Sequence, residues 1–399
     1  MSETMELARR TLSWKPSPTM ALNARAAEKA ASGVDVVNFT VGEPDMEPPA
    51  SVREEAARDV MSGSSKYTPA LGMPDLRRAI AAKFLRDQGL SYSPQQVGAS
   101  VGGKHALYNV FQALLNPGDE AIIPSPYWVT YPDQVLLAGG TPVIVPCLPG
   151  EGFKLTPKAL SQAISEHTRV LVLNSPNNPT GTVYSEEELR SLVDVALTHG
   201  LTIVSDEVYE ALTYGGAHHV SPASLSRAAF EATVIVHSVS KTYAMTGWRI
   251  GFVASASEDL VRAIGALQSQ VTSNPATIAQ RAAIRALELS AEEVRPLVDT
   301  FARRRELIVG LVQAIPALAL VRPDGAFYIF PDVSGLRGRA IGGRTIRDGD
   351  DVAAVLLDAA NVAVVPGSSF GAPDHIRISF ATSDERIREG MGRIREVLA

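Results

Sequence analysis

Five short runs of apolar residues recur along the middle of the chain. They contain mostly valine, isoleucine and leucine and do not alternate with polar residues. The runs span residues 120–123, 141–145, 170–173, 201–204 and 233–236. Strands that are buried on both faces of a parallel sheet have this pattern. Helical patterns separate several of the runs, as at 155–166 and 185–199. The β-α alternation therefore predicts a doubly wound α/β domain.

Helical patterns dominate on both sides of this alternating region. On the N-terminal side they cover about residues 51–61 and 73–88, and Pro74 lies in the first turn that proline favours. On the other side a helix-rich stretch runs from about 258 to 312. The Ser-Asn-Pro sequence within 272–275 should end one of its helices and begin the next.

The last part of the chain mixes short strands with helices, which is typical of a smaller α+β domain. We predict strands at 326–330, 362–365 and 376–380, and helices at 350–360 and 384–398. The stretch 334–351 is rich in glycine and arginine and is predicted to be an exposed loop.

Composition excludes several classes of function. The net charge of −6 and the absence of a basic stripe argue against nucleic acid as a partner. The single cysteine, Cys147, excludes an internal disulfide or a cysteine-based zinc cluster, and the seven histidines show no metal-binding spacing. No run of eighteen apolar residues and no signal-peptide pattern occurs, so we expect a cytoplasmic protein without a membrane span.

Polar motifs follow three of the predicted strands directly. The strand at 170–173 leads into residues 174–181, the strand at 201–204 into Asp206 and Tyr209, and the strand at 233–236 into the loop of Lys241. Ligands of open α/β sheets bind outside the carboxyl ends of the strands. Each motif alone is weak, since an aspartate at a strand end is often only a helix cap. Their common position indicates one site.

Lys241 carries the most informative chemistry. It follows a buried strand and lies among small hydroxyl residues, where a desolvated lysine amine can attack a carbonyl and form a Schiff base. Ser238, Ser240 and Arg249 resemble a phosphate clamp around the same point. An amine beside a phosphate pocket suggests pyridoxal phosphate. A lone lysine in a loop is more often a solvated surface residue, so this interpretation depends on its neighbours.

A second candidate phosphate contact precedes a predicted helix. Gly102, Gly103 and Lys104 lead into a stretch with apolar residues at 107, 110, 111 and 114, the spacing of one buried helix face. Backbone N–H groups at such a helix N-terminus can approach a phosphate, where the helix dipole favours negative charge. Two glycines before a helix are by themselves a common turn.

These motifs together resemble a known family. Asn-Asn-Pro-Thr-Gly at 177–181, Ser-Asp-Glu-Val-Tyr at 205–209 and Ser-x-Ser-Lys-x₅-Gly-x-Arg at 238–249 are similar to those of the fold-type I, pyridoxal-phosphate-dependent aminotransferases of class I/II. Within the class the chain most resembles the bacterial aspartate and aspartate/prephenate aminotransferases. The resemblance spans nearly the whole chain.

The resemblance implies an architecture and a reaction. It implies a large domain with a mostly parallel seven-stranded sheet, which we place at 50–290, and a smaller domain at 291–399, to which part of the arm 1–49 belongs. It also implies ping-pong transfer of an amino group from L-aspartate or glutamate to 2-oxoglutarate or oxaloacetate, and prephenate is a further possible substrate.

The resemblance also implies roles around the cofactor. Lys241 would hold pyridoxal phosphate and shuttle the proton, and Asp206 would pair with the ring nitrogen. Tyr209 and Asn178 would bind the phenolic oxygen, and Trp128 would stack on the ring. Outside this resemblance, an isolated tryptophan is usually core packing.

One further cofactor contact would come from a second subunit. Tyr67 would reach the phosphate bound by the neighbouring subunit, so the resemblance implies a homodimer with shared active sites.

Arg377 is the candidate for the substrate α-carboxylate. It lies within an apolar strand, where a buried cation costs several kcal/mol unless it is paired. A carboxylate ligand or a structural salt bridge would each supply that pair, and the residues alone do not choose between them. The resemblance assigns Arg377 to the substrate, with Gly42 and Asn178 beside it.

Residues for the distal end of the substrate are less well defined. The resemblance implies that Lys104 or Lys15 binds a second carboxylate, whereas the residues alone are equally consistent with solvated lysines. Tyr328 borders the substrate or belongs to the core.

Four other functions are alternatives to this one. Aromatic or kynurenine aminotransferases and pyridoxal-phosphate-dependent β-lyases share the fold and the motifs. A non-catalytic regulator is disfavoured because Lys241, Asp206 and Tyr209 are intact. A nicotinamide dehydrogenase is excluded because no GxGxxG sequence follows a predicted strand.

Overall fold

A computed structural model describes residues 5, 7, 8, 11 and 18–399 of the chain. The strands, in chain order, are β1 (Val37–Asn38), β2 (Val97–Ser100), β3 (Glu120–Ser125), β4 (Thr141–Pro146), β5 (Thr168–Asn174), β6 (Thr202–Asp206), β7 (Thr233–Ser238), β8 (Gly251–Ser255), β9 (Tyr328–Ile329), β10 (Ala340–Ile341), β11 (Arg344–Thr345), β12 (Val362–Ala363), β13 (Val365–Pro366) and β14 (Ile376–Ser379).

The α-helices of the described residues cover both sides of the main sheet and most of the C-terminal part. In chain order they are α1 (Pro18–Ala31), α2 (Ala50–Met61), α3 (Pro74–Gln88), α4 (Gly103–Leu114), α5 (Thr130–Leu137), α6 (Pro157–Ala163), α7 (Glu186–Thr198), α8 (Arg227–Ala232), α9 (Glu258–Val271), α10 (Thr277–Leu287), α11 (Ala291–Gln313), α12 (Gly349–Ala359) and α13 (Asp384–Leu398).

Seven strands form the main sheet in the order β2-β8-β7-β6-β5-β3-β4. The five predicted apolar runs form β3 to β7, which are parallel, and β8 is antiparallel to both of its neighbours. The predicted mostly parallel, seven-stranded α/β fold is therefore confirmed. In the register, Asn174 of β5 pairs with Asp206 of β6. The polar ends of these strands therefore lie side by side at one end of the sheet.

The continuous apolar runs are explained by helices on both faces of the sheet. Along β5, Val170 and Val172 share a buried cluster with α4, whereas Leu171 and Leu173 share another with α7. Since successive residues of a strand point to opposite faces, every position must be apolar when both faces are covered.

A second, antiparallel sheet with the order β13-β14-β9 forms the centre of the C-terminal part. Phe301 of α11, Leu356 of α12 and Ile394 of α13 belong to one buried cluster with Ile378 of β14. The N-terminal segment joins this part because β1 pairs with β12. The domain boundaries at 49 and 290 stay a prediction.

The structure corrects two local expectations. Residues 334–351 are not simply an exposed loop, because β10 and β11 form a hairpin there and Leu336 and Ile346 are buried. These apolar residues anchor the segment despite its glycines. The helix predicted at 155–166 is shorter, since Thr156 caps it and it ends at Ala163. Within the described residues, no helix combines the length and hydropathy that crossing a membrane requires.

Candidate active site

A cavity of about 510 Å³ opens at the carboxyl end of the main sheet. The ends of β5, β6 and β7, the start of α4 and segments of the C-terminal part surround it. Twelve of the predicted site residues line this cavity: Gly42, Gly103, Lys104, Trp128, Asn178, Asp206, Tyr209, Ser238, Ser240, Lys241, Arg249 and Arg377. The structure thus brings together motifs that lie up to 335 positions apart in the sequence (42 to 377).

Among the described residues, two predicted ones, Gly102 and Tyr67, are not part of the cavity lining. Gly102 lies directly beside it, next to the Arg249 side chain. Tyr67 is 90% exposed and lies away from the cavity of its own chain. Lys15 lies outside the described residues.

The Lys241 amine points into the cavity and donates a hydrogen bond to the carbonyl of Gly42. Burial lowers the pKa of Lys241 to about 8, with a smaller opposing effect from Glu43. The cations Arg377 and Arg249 lower this pKa further. A lysine with this pKa is partly neutral near physiological pH, and the neutral amine is the form that attacks a carbonyl.

Asp206 faces the same cavity from the end of β6. The Tyr131 hydroxyl donates to its Oδ2 at 2.7 Å, and the backbone N–H of Val208 lies 3.3 Å from its Oδ1. Burial raises the pKa of Asp206, and the bond from Tyr131 opposes that rise. Asn174 donates to the Asp206 carbonyl at 3.0 Å. Each carboxylate oxygen of Asp206 therefore has a donor, and Asn174 fixes the backbone of the same residue.

Tyr131 and Asn174 were missed as site residues in the sequence. Tyr131 follows Trp128 by three positions, where α5 begins, so the two rings meet edge to face with centroids 5.5 Å apart. That spacing was the available signal for Tyr131. Asn174 was the first residue of the polar segment 174–181, but nothing in that segment showed which backbone groups it would hold.

Two tyrosine hydroxyls meet beside the lysine. The Tyr209 and Tyr328 oxygens lie 2.9 Å apart, and both side chains are buried. Burial raises the pKa of Tyr209 well above its ordinary value and also raises the pKa of Tyr328. Both are therefore neutral phenols near neutral pH. Tyr328, which the sequence left between substrate border and core, lines the cavity.

Arg377 is a buried cation that also lines the cavity. Its Nη1 donates to Asn178 Oδ1 at 3.1 Å and its Nη2 to the Thr40 carbonyl at 2.7 Å. No aspartate or glutamate pairs with it among the described residues, and its buried Nε has no hydrogen-bond partner there. The structural salt bridge that the sequence left open is therefore not found in the described part of the chain.

The start of α4 is surrounded by positive charge. The Lys104 ammonium lies 5.1 Å from the Trp128 ring, and burial together with Arg249 lowers the pKa of Lys104. The first turn of α4 contains no acidic residue. A side chain at position 102 would overlap the Arg249 guanidinium, and Gly102 has a φ of +85°. The helix N-terminus and the two cations thus form a cradle for an anion.

Ser238 and Ser240 complete this cradle at the end of β7. The backbone N–H of Ser240 donates to Ser238 Oγ at 3.2 Å, so the loop turns tightly before Lys241. A Cβ on Gly103 would lie 3.6 Å from that of Ser238, so the two segments are in van der Waals contact.

A buried ionic network supports the cradle from behind. Glu210 accepts hydrogen bonds from the fully buried Lys83 and lies 2.9 Å from Nε2 of His237. Nδ1 of His237 accepts the backbone N–H of Ser238 at 2.7 Å. The network therefore runs from α3 to the residue that begins the Lys241 loop.

The same network accounts for the cluster of Glu207, Glu210 and His219, whose potential ligand atoms lie within 4.8 Å of one another. The Glu207 carboxylate accepts from Ser205 and Ser221 and pairs with His219 at 3.0 Å. Since the Lys83 ammonium neutralises Glu210, and Ser205, Ser221 and His219 are hydrogen-bond partners of Glu207, we interpret the cluster as an ionic network. None of this was visible in the sequence, because a buried lysine and a surface lysine look alike there.

Comparison with known proteins agrees with this geometry. The model of the family "Aminotransferase class I and II" matches residues 34–394. The chain is 48% identical over 390 residues to an aspartate aminotransferase of Geobacillus stearothermophilus, and 46% identical over 398 residues to an aspartate/prephenate aminotransferase of Thermus thermophilus. Each match covers 98% of both chains.

Solved structures show the same fold. The aspartate aminotransferase of Rhizobium meliloti superposes with a TM-score of 0.95 at 39% identity, with 99% of each chain covered. The aspartate aminotransferase of Thermus thermophilus with maleate gives a TM-score of 0.92 at 44% identity, with 99% of this chain and 100% of that chain covered. The chain therefore belongs to the class I and II aminotransferases.

Proposed function

We propose that this aminotransferase uses pyridoxal phosphate to move the amino group of L-aspartate or glutamate to 2-oxoglutarate or oxaloacetate by a ping-pong mechanism. Prephenate is a further candidate acceptor. One observation carries the proposal. The Lys241 amine, with a pKa of about 8, lies in a cavity that is also lined by the anion cradle and by the buried Arg377, which has no carboxylate partner among the described residues.

The residues present fit this cofactor. Its phosphate would fit the cradle of Gly102, Gly103, Ser238, Ser240 and Arg249. A Cβ added at position 102 would fill space that the anion and Arg249 need. When bound, pyridoxal phosphate supplies an aldehyde and a ring that accepts electrons.

Three side chains would hold the ring of the cofactor. Asp206 would keep the ring nitrogen protonated, because a buried carboxylate stabilises a neighbouring positive charge. Trp128 would lie against the ring. Tyr209 would donate to the phenolic oxygen, and Asn178, whose Oδ1 already accepts from Arg377, would use its Nδ2.

Lys241 would carry the proton of the reaction. Its lowered pKa leaves part of the population as a neutral amine that can accept a proton from the substrate Cα and return it to another atom. The bond to the Gly42 carbonyl shows that the amine reaches across the cavity. Tyr131 and Asn174 hold Asp206 while the proton moves.

Arg377 would bind the substrate α-carboxylate. A carboxylate would bind the Nε, which has no partner in the described part of the chain, and would neutralise the buried charge, and a bidentate arginine–carboxylate pair fixes orientation as well. Gly42 lines the cavity beside it, and a Cβ there would lie 2.6 Å from the Tyr328 hydroxyl. The position therefore has to stay small.

We assign the distal carboxylate to Lys104, with Lys15 as the alternative. The Lys104 side chain lines the cavity, where desolvation and the nearby Arg249 lower its pKa, so an anionic partner would stabilise its charged form. Relatives named for aspartate and a related structure with maleate, itself a dicarboxylate, support a substrate with two acidic groups.

We also propose a cytoplasmic homodimer with shared active sites. Tyr67 is a large aromatic side chain that is 90% exposed in the single chain. The carbonyl of the preceding Lys66 accepts a hydrogen bond from Thr277, which ties this loop to α10. Such a fixed, exposed aromatic suits insertion into the site of a second copy.

A half-reaction screen tests the proposal. The purified enzyme is loaded with pyridoxal phosphate and mixed with single amino acids, while the visible absorbance of the bound cofactor is followed. Aspartate and glutamate should remove the visible band faster than alanine or phenylalanine. Absence of any visible band would refute the cofactor assignment. A faster reaction with phenylalanine would favour the aromatic alternative.

Variants of Lys104 test the distal contact. Lys104→Ala should slow the half-reaction with aspartate about tenfold or more, since a charged hydrogen bond is lost, and should spare alanine. Lys154→Ala is a matched control, because Lys154 pairs with Glu188 outside the cavity. Equal loss with aspartate and alanine would assign Lys104 to the cofactor alone.

A further inference from the structure

The Tyr328 hydroxyl occupies an unusual position beside the proposed cofactor site. It lies 2.9 Å from the Tyr209 hydroxyl. Both residues are buried, since Tyr209 is 3% exposed and Tyr328 is 1% exposed. Tyr209 follows β6 of the main sheet, whereas Tyr328 begins β9 of the smaller one. The bond therefore joins the two sheets across the cavity. Among the described residues, neither hydroxyl has another hydrogen-bond partner.

We propose that Tyr328 is a positioning residue of the reaction, which donates to Tyr209 and so leaves the Tyr209 proton for the phenolic oxygen of pyridoxal phosphate. The inference rests on the proposed function.

Proton counting supports this direction. Two neutral phenols carry two protons, and only one can lie in the bond between them. If the phenolic oxygen of the cofactor lies beside Tyr209, it accepts a hydrogen bond from the Tyr209 hydroxyl. The bond between the two tyrosines must then be donated by Tyr328. Chains of hydrogen bonds polarise one another, so the donation from Tyr328 strengthens the donation from Tyr209.

The surroundings of Tyr328 favour its role as the donor. The Arg377 guanidinium lies 4.5 Å from the centre of the Tyr328 ring, and a nearby cation makes a phenol a better proton donor. A Cβ at position 42 would lie 2.6 Å from the Tyr328 oxygen, so Gly42 leaves the hydroxyl its place. The Phe327 ring packs edge to face against the Tyr209 ring with centroids 5.5 Å apart and restricts the orientation of Tyr209.

The consequence is a shift in a measurable pKa. When the cofactor is bound, a hydrogen bond donated by Tyr209 would stabilise the anionic form of its phenolic oxygen, so a proton held near that oxygen would be lost more easily. Tyr328→Phe removes the hydroxyl that donates to Tyr209 and so weakens the hydrogen bond that Tyr209 donates to the cofactor. We expect the pKa of the bound cofactor, measured from the visible absorbance of the loaded enzyme and called its spectroscopic pKa, to rise by about 0.5. This change corresponds to a fraction of the free energy of one hydrogen bond.

Tyr214 provides a matched control. It is also buried, its hydroxyl donates to a backbone carbonyl at 2.6 Å, and an arginine lies 5.3 Å from its ring centre, yet it is not part of the cavity lining. Tyr214→Phe should leave the spectroscopic pKa unchanged.

A double-variant cycle separates positioning from general disturbance. Tyr209→Phe should raise the spectroscopic pKa more than Tyr328→Phe does, and the double variant should match Tyr209→Phe alone, since Tyr328 acts through Tyr209. Additive shifts, or no shift in Tyr328→Phe, would overturn the inference while the proposed function stands. Absence of a visible band in the unaltered enzyme would instead overturn the proposed function and this inference with it.

Discussion

Replacement of Arg377 by methionine separates a ligand-binding arginine from a structural one. In the enzyme reaction the variant loses the bidentate pair with the substrate α-carboxylate. Two charge-assisted hydrogen bonds are worth about 1.5–3 kcal/mol each. Together they correspond to a loss of about 10²- to 10⁴-fold in kcat/KM, at about 1.4 kcal/mol for each factor of ten.

Stability should respond in a different way. The variant loses the bonds of Arg377 to Asn178 Oδ1 and to the Thr40 carbonyl. It also removes a buried cation that has no carboxylate partner among the described residues, and an unpaired buried charge costs several kcal/mol. These effects oppose each other. We therefore expect the free energy of unfolding of the cofactor-free protein to change by no more than about 2 kcal/mol.

Arg304→Met is the matched control. Arg304 is also nearly buried, at 8% exposure, but pairs with both oxygens of Asp45 at 2.6 and 2.8 Å. Its loss should cost about 2–4 kcal/mol of unfolding free energy, below the range of a fully buried pair because Asp45 is partly exposed. Urea denaturation and steady-state kinetics give both quantities. A large stability loss in Arg377→Met with unchanged kcat/KM would refute the carboxylate assignment.

Four further outcomes are expected. Lys241→Ala should abolish the visible band and the half-reaction but keep the cofactor bound in equilibrium dialysis, and retained turnover would contradict the assignment. The rate at which added pyridoxal phosphate produces the band should rise with pH through about 8, because the neutral Lys241 amine is the form that reacts. Stopped-flow absorbance measures this rate, and a rate that does not change with pH would contradict the prediction. Gly102→Ala should weaken cofactor affinity about tenfold in the same dialysis, because the new Cβ overlaps the Arg249 guanidinium and alanine is strained at this φ. An unchanged affinity would show that the Arg249 side chain is dispensable for cofactor binding. Lys83→Met should cost about 3–5 kcal/mol in urea, since Glu210 loses its cation, and an unchanged midpoint would show that the network is not ionic.

The fold could be predicted largely because its strongest signals are local. Five apolar runs became five parallel strands, since strands buried on both faces must be apolar at every position. The strands β2 and β8 are short and contain small residues such as Gly98 and Gly251, so their patterns do not stand out. The hairpin within 334–351 was missed for a related reason, because only three buried apolar side chains, Leu336, Ile341 and Ile346, anchor it and most of its residues are polar or glycine.

The site was predictable where chemistry follows a strand end. Asp206 and Lys241 were found because parallel strands bring their carboxyl ends together, so positions far apart in the sequence share one cavity. The lowered pKa of Lys241 also follows from that location, since burial is its largest cause. What the sequence could not supply is the partner of each side chain.

Partners are set by packing between distant segments, and this is why the remaining features escaped. Arg377 donates to the carbonyl of Thr40, 337 positions away, and Tyr328 meets Tyr209 across 119 positions. A buried arginine looks the same in sequence whether a carboxylate or only carbonyl groups surround it. Its function depends on that difference, because only the arginine without a carboxylate keeps its charge for a substrate. Arg377 and Arg304 are this pair within one chain, so their variants test the argument directly.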